Sequence, residues 1–188
     1  NVTPLVCSDD GKSAFLLQAP RAAAAARTAI SSYTPETAST SFLGTLDSKV
    51  GSGGYEDTIM LWHDAAIDSA TMTWDGKDTV YDSIYWREAL EGKDQYSVFF
   101  GGNHGITDIT VNDDGTGEGR TLLVIKDSYA HSLVPFALGD YDRVIMLDLR
   151  YFNKSLSKYM EENAVTDILV LYSLADFAED ANLRKIVH

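Results

Sequence analysis

The sequence of 188 residues is poor in cysteine and has no long apolar run. Its single cysteine, Cys7, permits no disulfide within the chain and no cysteine cluster for zinc or an iron–sulfur centre. We interpret Cys7 as an unreactive residue, because no charged partner or helix start lies beside it in the sequence. No apolar run approaches the roughly 18–20 residues that span a bilayer, so we expect no direct membrane insertion by this segment.

Basic residues are also scarce. Lysine and arginine number 15 against 28 aspartates and glutamates, which gives a net charge of -13 at neutral pH. A surface of this charge repels the phosphate backbone of nucleic acids and anionic lipid headgroups. We therefore exclude nucleic acid as a partner.

Motifs for cofactors and metals are missing as well. The sequence has no phosphate-binding glycine-rich loop that ends in Lys-Ser or Lys-Thr, and no dinucleotide-binding fingerprint. Residues 112–115 (Asn-Asp-Asp-Gly) lack the ligand spacing and the closing glutamate of a calcium loop, so we interpret them as a hairpin tip. We expect neither a metal nor an organic cofactor.

The composition is that of a folded protein, with 45% hydrophobic and 11% aromatic residues. The length fits one main domain, which we place at residues 42–188. Residues 1–41 are predicted to form an arm, with an alanine-rich helix over residues 20–30 and a polar linker over residues 31–41. The chain begins at Asn1 rather than methionine, and we expect it to be a processed or truncated piece of a longer protein.

The first half of the main domain is predicted to be antiparallel and irregular. Its expected elements are strands over residues 57–62, 71–74 and 79–81 and a short helix over residues 85–90. Asp75-Gly76 is a dipeptide typical of a hairpin turn. Gly92 is expected to end the helix.

The second half alternates between strands and helices. Strands are predicted over residues 96–100, 106–111, 121–125, 143–148 and 166–172, and helices over residues 128–138 and 153–163. Three of these strands are continuous apolar runs, which is typical of strands covered on both faces. The pattern predicts an α/β fold with three layers, a mostly parallel sheet and an antiparallel or irregular N-terminal insertion.

Polar residues follow several of the predicted strands. They form three clusters, at residues 101–105 (Gly-Gly-Asn-His-Gly), 126–131 (Lys-Asp-Ser-Tyr-Ala-His) and 148–151 (Asp-Leu-Arg-Tyr). Open parallel sheets bind ligands at the carboxyl ends of their strands. The sequence therefore predicts a functional site at this edge of the sheet.

Ser128 is the candidate nucleophile, because it lies where a buried strand turns into a helix. Free backbone N–H groups at such a turn stabilise a developing oxyanion. The alternative is structural, since Asp127 or Ser128 would also cap the helix. The residues of this turn alone do not decide between the two interpretations.

The other candidates are Gly102, Asn103, His104 and His131. Gly102 and Asn103 are good oxyanion donors and His104 is a possible base, although a tight turn after a strand has the same composition. His131 lies three residues after Ser128, so the two would share one face of a helix. The alternative interpretation of His131 is a histidine on the helix surface or in the core with no catalytic role.

Two further histidines carry weaker interpretations. His63 follows a strand and precedes Asp64, and we interpret it mainly as structural. His188 is the terminal residue and receives no role.

Four segments together resemble a known family. They are residues 42–49 (FLGTLDSK), 96–104 (YSVFFGGNH), 122–136 (LLVIKDSYAHSLVPF) and 144–152 (VIMLDLRYF). In this order and spacing they resemble the DHHW proteins of bacteria, which are related to the SGNH hydrolases and to the alginate O-acetyltransferases. The resemblance covers about residues 42–172.

The resemblance implies an SGNH-like three-layer α/β fold and acyl-ester chemistry through a serine. Ser128 matches the family's Asp-Ser-Tyr element, and Gly102 and Asn103 match its Gly-Gly-Asn element as oxyanion donors. Asp127 is expected to orient the turn. The implied substrate is an acylated glycan or another acyl ester, met in an extracytoplasmic location.

The sequence departs from the family in its general base. The family's aspartate and histidine lie in an Asp-His-His-Trp motif upstream of residues 42–49, and no histidine precedes His63 here. Either the motif lies outside this chain or this member is degenerate. His104 or His131 would have to substitute within the chain, because a serine without a base is a weak nucleophile.

Two competing interpretations remain. One is a non-catalytic module that binds carbohydrate through Trp62, Trp74, Trp86 and several tyrosines, although tryptophans are more often core residues. The other is a flavodoxin-like switch domain with Asp127 as phospho-acceptor. The antiparallel segment and the lack of an acidic pair after the first strand count against the switch domain.

Overall fold

The computed structural model describes residues 6–7, 14–15, 32–44, 56–113 and 117–186. The first two strands, β1 (Val6–Cys7) and β2 (Ala14–Phe15), pair antiparallel. The alanine-rich helix predicted over residues 20–30 lies outside the described residues, and so does His188.

The next two strands form a hairpin of their own. β3 (Thr34–Phe42) pairs antiparallel with β4 (Asp57–His63). The polar linker predicted over residues 31–41 is therefore wrong. The segment is a strand because its partner supplies the apolar side chains: Ile59 and Leu61 of β4 are buried in the main core. A polar strand needs only such a partner and a tolerance for extended backbone, which threonine has.

The main sheet has five strands in the order β5-β6-β8-β7-β9. They are β5 (Thr71–Trp74), β6 (Ile106–Thr110), β7 (Thr121–Lys126), β8 (Arg143–Leu147) and β9 (Asp167–Leu171). β7 pairs in parallel with β8 and β9, while β6 runs antiparallel to β5 and β8. Every strand except β6 thus points the same way, which confirms the mostly parallel sheet.

The described helices are short. The α-helices are Ala65–Ser69, Leu156–Glu162 and Leu174–Glu179, and the 3₁₀ helices are Arg87–Glu91, Gln95–Val98, Ser128–Ser132, Val134–Asp140 and Ala181–Ile186. No helix in this part of the chain is long and apolar enough to cross a membrane.

Three predicted elements differ from the structure. The strand predicted over residues 79–81 is reduced to an isolated bridge between Tyr81 and Met72. The strand predicted over residues 96–100 is wrong, because Gln95–Val98 is a 3₁₀ helix and Phe100 has a positive φ of 59°. The helix predicted over residues 128–138 is divided into two 3₁₀ helices. Pro135 stands in the first turn of the second one, where a proline starts a helix and cannot continue the preceding one.

Helices cover both faces of the sheet, which confirms the three layers. The side chains of β7 alternate between the faces, with Leu122 and Val124 in one core and Leu123 and Ile125 in the other. The 3₁₀ helices after β7 pack on the first face through Val134 and other residues. The helix Leu156–Glu162, which follows β8, packs on the second face.

The predicted hairpin turn at Asp75-Gly76 is confirmed. Both residues have positive φ, 53° for Asp75 and 69° for Gly76, as a tight primed turn requires. Met72 and Tyr81 on either side exchange two backbone hydrogen bonds of 2.9 and 2.8 Å. The turn places Asp75 at the carboxyl end of β5.

His63 lies at the end of β4 in a cluster of charged side chains. Its Nδ1 is 2.7 Å from Asp68 Oδ1 and its Nε2 is 2.9 Å from Glu36 Oε2, and Arg87 makes a bidentate pair with Glu36. Burial lowers the pKa of His63, but the hydrogen bonds to Asp68 and Glu36 outweigh it and raise the pKa overall. The cluster ties the β3–β4 hairpin to the helices Ala65–Ser69 and Arg87–Glu91.

We expect this cluster to make stability depend on pH. Since the folded state raises the pKa of His63, its contribution is complete below about pH 6.5 and is lost as the pH rises through the folded value. The free energy of unfolding, measured by thermal denaturation, should therefore fall by up to about 1 kcal/mol between about pH 6 and pH 8. His63→Gln should remove this slope, and a slope that persists in the variant would assign it to another group.

Candidate active site

The ends of the strands bring the predicted polar clusters together at one edge of the main sheet. Register pairs Trp74 at the end of β5 with Thr107 near the start of β6, and Ile106 with Leu147 at the end of β8. Lys126 at the end of β7 pairs with Leu171. The connections after β7 and β8 leave toward opposite faces, so β7 ends where an open sheet forms its ligand crevice.

Ser128 follows the end of β7 as the first residue of a 3₁₀ helix and is half-buried. Its N–H therefore has no partner within the helix. Among the described residues, none forms a hydrogen bond with the N–H or with Oγ of Ser128. Its carbonyl oxygen accepts a hydrogen bond of 3.2 Å from the Tyr96 hydroxyl, which fixes the turn. The candidate nucleophile oxygen and the candidate oxyanion donor are thus both unengaged by the part of the chain that the structure describes.

Asp127 is a buried cap. Its Oδ1 accepts a hydrogen bond of 2.9 Å from Tyr129 N, and its Oδ2 accepts one of 2.6 Å from Ser173 N at the end of β9. Burial raises the pKa of Asp127, against the opposing effect of these two backbone donors. The expectation that Asp127 orients the turn agrees with this geometry. With both oxygens engaged and 3% of the residue exposed, it is poorly placed as a phospho-acceptor.

Asn103 and His104 lie in the loop before β6, whose backbone has an uncommon conformation. Phe100, Gly101 and Gly102 have successive positive φ angles of 59°, 72° and 94°. The Gly102 N–H donates to the Phe99 carbonyl at 3.1 Å, so it is engaged in the loop. The predicted role of the Gly102 N–H as an oxyanion donor is therefore not available in this conformation, whereas the exposed Asn103 side chain remains a candidate.

A buried lysine connects two of the predicted clusters. Lys126 is 1% exposed, and its Nζ lies 3.3 Å from Asn103 Oδ1 and 2.8 Å from His131 Nε2. Burial lowers the pKa of Lys126 to about 8, although the nearby carboxylate of Asp148 opposes this. The bond to Oδ1 leaves the Nδ2 of Asn103 for other partners.

His131 lies in the core rather than at the surface. It is 1% exposed, and its ring stacks against Tyr96 at 6.1 Å between centroids. Burial lowers the pKa of His131 well below its usual value, and the positive charge of Lys126 adds to the effect. Since its Nε2 is engaged by Lys126, this neutral imidazole is poorly placed to serve as the base predicted from its spacing to Ser128.

His104 is the better base candidate. Its Nδ1 lies 3.6 Å from Asp75 Oδ2, and its ring stacks on Trp74 with 4.2 Å between centroids. Burial lowers the pKa of His104, and the charge of Asp75 opposes this. His104 Nε2 is buried without a hydrogen-bond partner among the described residues. A carboxylate beside one ring nitrogen is how a catalytic imidazole is oriented, although no hydrogen bond joins His104 to Ser128.

The third predicted cluster forms the rim of the crevice. Asp148 is fully buried and makes a bidentate pair with Arg150, at 2.9 and 2.6 Å. Two aromatic side chains on the rim are exposed, Tyr129 by 59% and Tyr151 by 62%. They are better placed for stacking on a sugar than the tryptophans, since Trp74 is a core residue and the other two are packed against the core.

The residue-based predictions missed the roles of Lys126 and Asp75. Lys126 had a signal, because it ends a strand whose other residues are apolar and buried, and a charge in such a place needs partners. Asp75 had none beyond its turn dipeptide, since its approach to His104 depends on the pairing of β5 with β6. Among the described residues, no group of three His, Cys, Asp or Glu side chains is arranged to hold a metal.

The fold is similar to several solved structures. A DHHW family protein from Eubacterium siraeum superposes with a TM-score of 0.67 and 23% identity, over 85% of this chain and 54% of that one. PatB1 of Bacillus cereus with a sulfonyl adduct gives a TM-score of 0.60 and 25% identity, over 82% of this chain and 51% of that one. Another PatB1 structure gives a TM-score of 0.57 and 23% identity, over 82% of this chain and 53% of that one.

The chain thus spans about half the length of these structures. No protein-family model matches the sequence, and neither does any curated protein. At these identities the likeness establishes the fold. The predicted resemblance to DHHW proteins and the predicted α/β fold are confirmed at that level.

Proposed function

We propose that this chain carries the nucleophile of an SGNH-like serine esterase or O-acyltransferase. The observation that carries the proposal is Ser128 itself, placed at the end of a buried parallel strand with Oγ and N–H unengaged by the described residues. The likeness in fold to PatB1, one structure of which holds a sulfonyl adduct, supports it. The proposed substrate is an acyl ester, above all an O-acetyl group on a cell-envelope glycan, met outside the cytoplasm.

In the proposed reaction Ser128 Oγ attacks the acyl carbonyl. A bond forms between Oγ and the carbonyl carbon, the π electrons move onto the carbonyl oxygen, and the Oγ proton passes to a base. The Ser128 N–H and the Asn103 Nδ2 would donate to that oxyanion, a contribution that is commonly worth about a hundredfold in rate per donor. Collapse reforms the carbonyl and breaks the ester C–O bond, and the leaving alkoxide takes the proton from the base to depart as the alcohol. Water or an acceptor hydroxyl then gives a proton to the base, attacks the acyl carbon and displaces Ser128 Oγ, which takes that proton back.

The base is an imidazole in this proposal. His104 has a carboxylate beside its Nδ1, as such a base requires, while the family resemblance assigns the role to an Asp-His-His-Trp motif that this sequence does not contain. If no imidazole reaches Ser128, hydroxide takes the Oγ proton instead, and the rate of hydrolysis then rises with pH.

Hydrolysis of p-nitrophenyl acetate tests the proposal. We expect turnover by the chain that falls at least about a hundredfold in Ser128→Ala, because the residual rate lacks a nucleophile. Phenylmethylsulfonyl fluoride should add its sulfonyl group to Ser128, as read by peptide mass spectrometry, and should not label the variant. Ser69→Ala is the matched control, because Ser69 ends the helix before β5 at the edge of the sheet opposite Ser128, and this variant should keep full activity.

Equal turnover by the chain and by Ser128→Ala, together with no labelling at Ser128, would overturn the proposal. A non-catalytic carbohydrate-binding module on the same fold would then be the better account. The exposed rings of Tyr129 and Tyr151 are the surface that such a module offers.

A further inference from the structure

We infer that Lys126 is a positioning residue for the reaction of Ser128: it holds Asn103 by its Oδ1 and so presents the Asn103 Nδ2 amide to the oxyanion. The inference rests on the function proposed above and adds to it how the oxyanion site is kept in shape. Lys126 neither gives nor takes a proton in the reaction and makes no contact with the acyl group.

The first argument is burial. A lysine that is 1% exposed at the end of an apolar strand is costly, and such residues persist where their hydrogen bonds have a use. Two donors of Lys126 are accounted for, by Asn103 Oδ1 at 3.3 Å and by His131 Nε2 at 2.8 Å. Both partners belong to the polar clusters that line the crevice.

The second argument is direction along the strand. Asp127 keeps an extended backbone with φ of -101° and ψ of -172°, so side chains continue to alternate past the end of β7. Val124 faces the core beneath the 3₁₀ helices that follow β7, and Ile125 faces the other core. By this alternation Lys126 and Ser128 leave the chain toward the first face and Asp127 toward the second. Lys126 therefore brings Asn103 to the face of the sheet on which Ser128 lies.

The third argument is the hydrogen-bonding capacity of an amide. Because an ammonium group only donates, it binds Asn103 through Oδ1 and leaves both Nδ2 hydrogens for other partners. Asn103 is exposed, so a ligand reaches this amide from solvent. His131 steadies the other side of Lys126 as a neutral acceptor, which places its own proton on Nδ1.

A double-mutant cycle tests the inference. In the hydrolysis of p-nitrophenyl acetate we expect Lys126→Met and Asn103→Ala each to lower kcat about 10- to 100-fold with KM nearly unchanged. The double variant should be no worse than Asn103→Ala by more than about threefold, because Lys126 acts through Asn103. Lys126→Gln serves as a second variant if the Met variant does not fold.

Lys185→Met is the matched control. Lys185 also donates to two oxygen acceptors, the carbonyls of Leu149 and Phe152 at 2.7 and 2.9 Å. Leu149 belongs to the rim cluster, but among the described residues neither Asn103 nor Ser128 is a hydrogen-bond partner of Lys185. This variant should lose stability and keep its kcat. If the loss of any lysine that holds oxygen acceptors were enough to lower kcat, Lys185→Met and Lys126→Met would lower kcat to the same extent.

The pH profile gives a readout that a merely structural lysine would not move. The groups that face Lys126 are Asp127, Asp148 and Arg150 and the imidazoles of His104 and His131. Loss of the ammonium proton weakens the bond to Asn103, so kcat should fall above about pH 8 in the unsubstituted chain. Lys126→Met should lack this falling limb.

The outcomes separate the two proposals. Additive effects in the double variant, or unchanged kcat in Lys126→Met, overturn the role of Lys126 and leave the serine chemistry standing. Turnover that does not depend on Ser128 in the unsubstituted chain overturns the proposed function, and the role of Lys126 with it.

Discussion

Asp127→Ala should lower the free energy of unfolding by about 3 kcal/mol, since one buried and one part-buried backbone N–H group lose a carboxylate acceptor. One bond, to Tyr129 N, starts the 3₁₀ helix that carries Ser128, and the other, to Ser173 N, joins that turn to the end of β9. The second bond joins two residues that are 46 positions apart in the sequence. Its loss therefore loosens both the segment after β7 and the segment after β9. Urea unfolding of the variant and the unsubstituted chain measures the difference.

Asp64→Ala is the matched control for this change. Asp64 also caps a helix, with Oδ1 accepting from Ile67 N at 2.8 Å, but it makes this one cap bond and is only half-buried. Its loss should cost about 1 kcal/mol, as for an ordinary N-cap. If both variants lose the same free energy of unfolding, the Asp127–Ser173 hydrogen bond does not contribute the additional stability predicted for it.

The sequence was most informative where the core pattern is regular. The apolar runs at β7, β8 and β9 predict covered parallel strands, and the structure has parallel strands there with bounds within a residue or so of the prediction. The predicted coverage on both faces fails for β9, an edge strand whose Ile168 is 48% exposed. Such runs are informative because burial on both faces leaves few residue types to choose from. The turn at Asp75-Gly76 was equally clear, since few dipeptides adopt two positive φ angles.

The predictions failed where a segment depends on a distant partner. β3 is polar and becomes a strand through its pairing with β4, which no local pattern of β3 announces. Residues 96–100 have strand composition, but the backbone reverses there because Phe100, Gly101 and Gly102 all take positive φ. Tertiary packing overrides local propensity in both cases.

The same limit applies to the candidate site. Local sequence places Asp127 and Ser128 after a buried strand, and the structure has β7 there. It also places Asn103 after a strand over residues 96–100, which does not exist; Asn103 reaches the same edge of the sheet because it precedes the antiparallel strand β6. The partners that decide what each side chain does come from other strands: Ser173 for Asp127, and Asn103 and His131 for Lys126. Spacing alone predicted a base in His131 and did not foresee that a lysine occupies its Nε2.

Gly101→Ala should be the most damaging change in the loop that carries Asn103 and His104, with a loss of about 3 kcal/mol of stability. Gly101 has φ of 72°, and a Cβ there would lie 2.3 Å from Trp74 Cζ2. The Trp74 ring is held between Tyr81 and His104 at 4.0 and 4.2 Å and has no room to retreat. The loop must therefore shift, and Asn103 and His104 with it.

Gly76→Ala separates backbone strain from the collision. Gly76 has nearly the same φ, 69°, and no atom lies within 4 Å of the site of its Cβ. It should lose only the roughly 1 kcal/mol that an L-residue pays in the left-handed region. Thermal unfolding of both variants, followed by tryptophan fluorescence, measures the difference. If Gly101→Ala loses no more stability than Gly76→Ala, Trp74 yields to the new methyl group, and the stacked rings do not fix the positions of Asn103 and His104.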